Sequence, residues 1–210
     1  MTAAYLTNTR DRIVFGETPT LMQPVFGESL PPPELGKHRF VVGRDGLYME
    51  AQNPVIAVRQ RVAKASVRLP YGEFDKCGIQ LLNGKIPYAI LGEALMKAHN
   101  ACPNEWAGLI VWDRNEHNYR LYEPPVLSGS SGHICYRNIL PDGMELVVDL
   151  HSHGFFEAFF SETDDQSDLD GFYIAGVLSH RSAIPSSVSR LVVNGHFLKC
   201  PPLQLFFAYD

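Results

Sequence analysis

Leu146-Val147-Val148-Asp149-Leu150-His151-Ser152-His153-Gly154, running on through Phe155-Phe156-Glu157-Ala158-Phe159-Phe160 to Ser161-Glu162-Thr163-Asp164, joins an apolar run to residues that ligate metals. Residues 146–150 read as a buried strand that leads straight into the histidine pair. Residues i and i+2 of a strand face the same way, so His151 and His153 can converge on one ion. Residues 161–169 read as a short helix, and Asp164 near its start can supply a third ligand. Three protein ligands leave one zinc position free for water. Such a site points to a hydrolase.

Each piece also has a plainer reading. Ser161-Glu162-Thr163-Asp164 fits a helix capping box, in which Ser and an acid three residues later satisfy each other's backbone amides. The two readings are compatible, because a capping segment can still aim its Asp at a metal. His151 and His153 taken alone can end a strand as inert, hydrogen-bonded side chains. Asp149 shares their strand parity, either as an acceptor that orients one imidazole or as a solvated strand residue. Metal-assisted hydrolysis needs a carboxylate to carry protons. Glu105, just before the apolar segment 106–112, is the candidate, and Gly108 would let another backbone approach closely. Phe155, Phe156, Phe159 and Phe160 read as core, or as the lining of a channel for an extended tail that adds to a sheet edge. Asp165, Asp168 and Asp170 read as a solvated helix face and loop.

Working outward, residues 88–99 carry apolar positions at helical spacing, with Pro87 at the start. Residues 106–112, 119–122, 172–179 and 189–193 read as strands, with further ones near Phe197 and over 205–209. Residues 124–132 read as a loop. Alternating strands and helices after residue 86 predict an α/β layer architecture. Before it, residues 1–36 are irregular, with a short strand over 12–15. Strands follow at 38–42 and 47–51 around the hairpin signal Asp45-Gly46, then at 55–62, 65–69 and 77–82. The expected organisation is a β-rich N-terminal region over 1–85 and a second domain over 86–210.

The bulk numbers narrow the function. The chain has 210 residues and a formal net charge of −5, with no Lys/Arg cluster to make nucleic acid an expected partner. Its four cysteines are widely spaced and form no CxxC pair, so they are expected to be reduced thiols in a cytoplasm. No apolar run is long enough for a membrane helix, and residues 1–6 lack the pattern of a secretion signal. Ser130 lacks the Gly-x-Ser-x-Gly setting of a serine hydrolase. His117, His133, His180 and His196 have no neighbours in sequence that would make them ligands.

Glu105-x-x-Gly108, His151-Ser152-His153 and Ser161-x-x-Asp164 together resemble the JAMM signature of the JAB/MPN metalloprotease family, over roughly residues 86–180. The order of helix, Glu strand, His strand and Ser/Asp helix agrees with that family. One position departs: the family usually has Pro after the second His, and this chain has Gly154, expected to loosen the loop without loss of metal. The phrases 147–154, 158–165, Leu69-Pro70-Tyr71-Gly72-Glu73 and Pro103-Asn104-Glu105 further resemble the bacterial PRTRC system protein A group.

The resemblance implies a mixed β-sheet flanked by helices. It implies Zn2+ held by His151, His153 and Asp164, with Glu105 as the base and Ser161 as hydrogen-bond donor to the oxyanion. It implies a ubiquitin-like or sulfur-carrier-like protein as substrate, cut at its C-terminal tail, and a ThiF/E1-like protein as a further partner. The alternative is an MPN-type scaffold that binds the same partners and does no chemistry. An amidohydrolase-type barrel typically needs about 250 residues, too many for this chain.

Overall fold

The computed structural model describes residues 7–209; the reading of residues 1–6 falls outside them. The chain divides into two compact units between Gln80 and Leu81.

The first unit opens with α1 (Thr9–Glu17) and continues through β1 (Thr20–Met22), β2 (His38–Gly43), β3 (Gly46–Gln52), β4 (Ile56–Lys64) and β5 (Gly78–Leu81). The strands form one sheet in sequence order. Its hairpin closes where Asp45-Gly46 signals it, with Gly43 opposite Gly46. Val41, Met49 and Ile56 are almost wholly buried, each side chain giving about 1.5–3 kcal/mol. Buried Glu50 is held by Arg39 at 2.7 Å and Arg59 at 2.5 Å.

Two expectations fail in this unit. Residues 12–15 belong to α1 and not to a strand: the Asn8 side chain caps the helix, accepting from Arg10 N at 2.8 Å and Asp11 N at 3.4 Å. The helix buries no residue, so it needs no apolar stripe. Residues 65–69 are not a strand either. Ala65 N and Leu69 N donate to the Asp45 and Arg44 carbonyls, wrapping the segment over the hairpin turn.

The second unit runs β6 (Ile86–Pro87), α2 (Tyr88–Ala101), β7 (Ala107–Asp113), β8 (Asn118–Tyr122), β9 (Val126–Ser130), β10 (His133–Tyr136) and β11 (Met144–Ser152). There follow α3 (Glu162–Ser167), β12 (Phe172–Ser179), β13 (Ser186–Val193), β14 (His196–Lys199), a 3-10 turn (Leu203–Phe206) and β15 (Phe207–Ala208). Six strands make the main sheet, in the order β14-β13-β12-β11-β7-β8. β11 and β12 run parallel and the other neighbours antiparallel. The α/β character is that of mixed sheets with few helices. α2 buries Leu91, Ala94 and Ala98 along one face and packs against β8.

Residues 124–132 are not simply a loop. β9 pairs with β10 in a separate hairpin, Ser130 opposite His133 and Ser128 opposite Cys135. Every residue of β9 is exposed, so no hydrophobic alternation marks it.

β11 lies inside the sheet between β12 and β7, and Val147, Val148 and Leu150 are fully buried. Burial on both faces explains its near-continuous apolar run. The register slips between Leu146 and Val148, upstream of Asp149, so the parity of Asp149 and His151 is kept. All four cysteines are free. Among the described residues, no helix is long and apolar enough to cross a membrane.

Candidate metal centre

Strand pairing brings the first acid to the histidines. His151 stands opposite Ala107 of β7 and opposite Val177 of β12. The ladder continues past it: Ser152 N donates to the Trp106 carbonyl at 2.7 Å, and Trp106 N donates to Ser152 Oγ at 2.9 Å. Glu105 is therefore fixed beside the end of β11, and its own backbone N–H donates to the Ser130 carbonyl of β9 at 2.8 Å. Gly108 serves a purpose other than backbone approach. A Cβ there would meet the Trp106 ring at 2.2 Å, so the glycine makes room for an indole.

His153 lies just beyond β11, its N–H donating to the Leu178 carbonyl at 2.9 Å. The two imidazoles point at each other with Nε2 atoms 3.3 Å apart, and Asp164 Oδ1 is 3.5 Å from His151 Nε2. Ligand atoms of all three residues lie within 4.8 Å of one another. A tetrahedral zinc with bonds of about 2.0–2.1 Å holds its ligand atoms about 3.3–3.4 Å apart. The donor set fits zinc, and the two separations from His151 match that tetrahedral edge.

The protonation states fit as well. His153 Nδ1 lies 2.9 Å from the Glu157 carbonyl, which can only accept, so this contact selects the tautomer of the neutral ring in which Nε2 is the ligating nitrogen. Burial holds His151 below its ordinary value, against an upward pull from Asp164, and a neutral imidazole is the ligating form. Glu105 is pushed up, first by burial and then by the Asp164 charge; His153 and His133 pull it down.

Glu105, His151, His153, Ser161 and Asp164 line one cavity of about 420 Å³. Residues 87–192, half of the chain and the segment holding all five, match the family described as prokaryotic homologs of the JAB domain. The chain belongs to that family. Residues 8–82 match a domain of unknown function, DUF2016. Comparison with the curated proteins gives no match. The solution structure of protein DSY2949 from Desulfitobacterium hafniense aligns with a TM-score of 0.44 and 19% identity, covering 60% of this chain and 92% of that one.

The remaining site residues of this JAB domain differ in part from expectation. Ser161 caps α3 in a full capping box: its N–H and hydroxyl donate to Asp164 Oδ2 at 2.6 and 2.7 Å, and Asp164 N donates to Ser161 Oγ at 3.2 Å. One Asp164 oxygen is thus committed to the cap and the other faces His151. Asp149 makes no hydrogen bond to either imidazole and is not solvated. It is buried, accepting from Tyr136 Oη at 2.6 Å and Asn138 Nδ2 at 2.8 Å. Asp168 is also buried, bonded to Tyr173 and Arg190, and so is no part of a solvated face. Phe155, Phe156 and Phe159 are more than half exposed, and Phe156 and Phe159 line the cavity. Only Phe160 packs into the core. Tyr136 and Asn138 escaped the sequence reading because they follow β9, which has no pattern to read.

Gly154 has a reason to replace proline. Its φ is +54°, which the proline ring cannot adopt, and a Cβ would lie 2.7 Å from the Pro103 carbonyl oxygen. The loop is therefore tight at this point and not loosened. Gly154→Ala is expected to lower stability by about 1–3 kcal/mol in urea titration.

Burial raises Asp149 to about 6, opposed by the bonds from Tyr136 and Asn138. The unfolded chain releases this proton first, so the residue's contribution is lost as pH rises from about 4 to about 6. Asp149→Asn is expected to flatten that fall in the metal-free chain, read as urea midpoints across the window.

Proposed function

We propose that this JAB domain is a zinc-dependent peptidase or isopeptidase that cuts at the C-terminal tail of a ubiquitin-like or sulfur-carrier-like protein. The observation that carries this reading is the convergence of His151, His153 and Asp164 on one point, with His151 3.3 Å from His153 and 3.5 Å from Asp164, in a cavity that Glu105 also lines. When bound there, zinc supplies Lewis acidity, drawing the pKa of a coordinated water toward about 7 and polarising a scissile carbonyl. The Glu105 carboxylate takes a proton from the attacking water and returns it to the leaving amine. The raised affinity of Glu105 for protons suits both halves of that exchange. Ser161 Oγ, turned from Asp164 toward the developing oxyanion, donates a bond of the kind worth about 2.7–4 kcal/mol. Phe156 and Phe159 give an extended tail an apolar bed beside the ligands.

A second reading keeps the metal but not the chemistry: a scaffold that docks a ubiquitin-like or ThiF/E1-like partner. The commitment of the Ser161 hydroxyl to Asp164 favours it. One experiment separates the two. The zinc-loaded chain is incubated with a C-terminally extended ubiquitin-like protein encoded beside it, and products are read by mass spectrometry. Cleavage that a chelator stops and zinc restores supports the peptidase. Binding without cleavage selects the scaffold, and a wild-type chain without stoichiometric zinc overturns both.

A further inference from the structure

Helix α3 carries Asp164 yet buries none of its residues, so apolar packing does not fix it. Polar contacts must do so. The capping box holds its first turn. Its other end is gripped by Arg190 of β13, whose Nε and Nη2 donate to Asp168 Oδ2 at 3.1 and 2.7 Å, while Nη1 donates to Asp165. Tyr173 Oη adds a bond to Asp168 Oδ1 at 2.6 Å, and Asp168 N donates to the Asp164 carbonyl at 3.0 Å. The clamp is thus joined to the backbone of the ligand residue itself.

Arg190 is immobilised in turn. Its guanidinium lies 4.1 Å from the Phe160 ring centre and 3.9 Å from that of Phe197. Phe160 immediately precedes the cap residue Ser161. One buried side chain therefore touches the chain just before α3 and two acids within and just after it. A planar fork with five donors can hold both carboxylates and stack on both rings; an ammonium cannot.

We propose that Arg190 is a positioning residue for the metal: through Asp165, Asp168 and Phe160 it sets where α3 places Asp164 relative to His151. The proposal rests on the reading of His151, His153 and Asp164 as zinc ligands and adds a residue from a strand that contributes none of them. Its test is zinc affinity of the full chain, measured by competition with a chromophoric chelator. Wild type, Arg190→Met, Asp164→Ala and the double variant are compared, with thermal melts of the metal-free proteins to check folding.

Arg190→Met is expected to weaken zinc about 10–100-fold, the usual effect of losing a group that orients a ligand. In the Asp164→Ala background, where the weak residual binding by the two histidines is titrated at raised zinc concentration, it is expected to change nothing further. Arg190→Lys serves should the methionine variant not fold, with the same pattern at smaller size. Wild-type affinity in Arg190→Met, or an equal drop with and without Asp164, overturns the proposal. A wild-type chain that binds no zinc overturns the ligand reading beneath it.

Discussion

His153→Ala is expected to abolish stoichiometric zinc binding, and with it the thermal stabilisation that zinc gives the wild-type chain. On the proposed reading three residues would hold the ion, and His153 is the one whose ring is oriented by a fixed partner, the Glu157 carbonyl. Removing a ligand should cost more than the roughly 10–100-fold that follows loss of an orienting group. At a free zinc concentration about 100 times Kd, binding adds about 2.7 kcal/mol to wild-type stability. The variant should gain none of it. The metal-free variant is a necessary control, because the substitution also deletes the bond to Glu157 and an edge contact with Phe159 at 4.8 Å between ring centres. Those losses amount to about 1–2 kcal/mol and appear with or without zinc. The quantity that decides is therefore the zinc-induced shift in melting temperature, measured for each protein against its own metal-free state. An undiminished shift in His153→Ala would show that the ion sits elsewhere.

The parts of this fold that were legible in sequence are those whose pattern is local. β11 announces itself because both faces are buried, and α2 because one face is. His151 and His153 converge because strand parity demands it. α1 and β9 were not legible for the opposite reason: neither buries a residue, so nothing in their sequence had to alternate. Asp149 and Asp168 show a second limit. Asp149 interrupts an apolar strand and Asp168 sits in a polar stretch, and for neither does the sequence name the partners that arrive from other elements. Those partners are Tyr136 and Asn138 for Asp149, and Tyr173 and Arg190 for Asp168. The phenylalanines invert the lesson. Three of the four are more than half exposed, and Phe156 and Phe159 line the cavity, so for those two the channel lining that the sequence left open beside core is the outcome. Gly154 combines both limits, since its positive φ and the Pro103 carbonyl behind it are properties of the folded loop.

Glu105→Gln is expected to lower the rate of tail cleavage by about 10²–10⁴-fold, the usual contribution of a positioned general base. It should leave zinc content unchanged, because Glu105 is not one of the three converging ligands. Glutamine matches the shape of the side chain and keeps the backbone bond from residue 105 to the Ser130 carbonyl, so the β7 edge and the β9 hairpin remain in place. What it loses is the capacity to hold a proton. The pH profile gives a second check. Burial and the neighbouring Asp164 raise the carboxyl above its ordinary value. A base must be ionised to act, so wild-type activity should climb with pH along a limb displaced upward from the usual carboxylate range. That limb should vanish from the residual activity of the variant. Should Glu105→Gln cleave at the wild-type rate with its zinc intact, proton transfer must be assigned to another group lining the cavity. Should it lose zinc as well, Glu105 would have to be counted among the ligands.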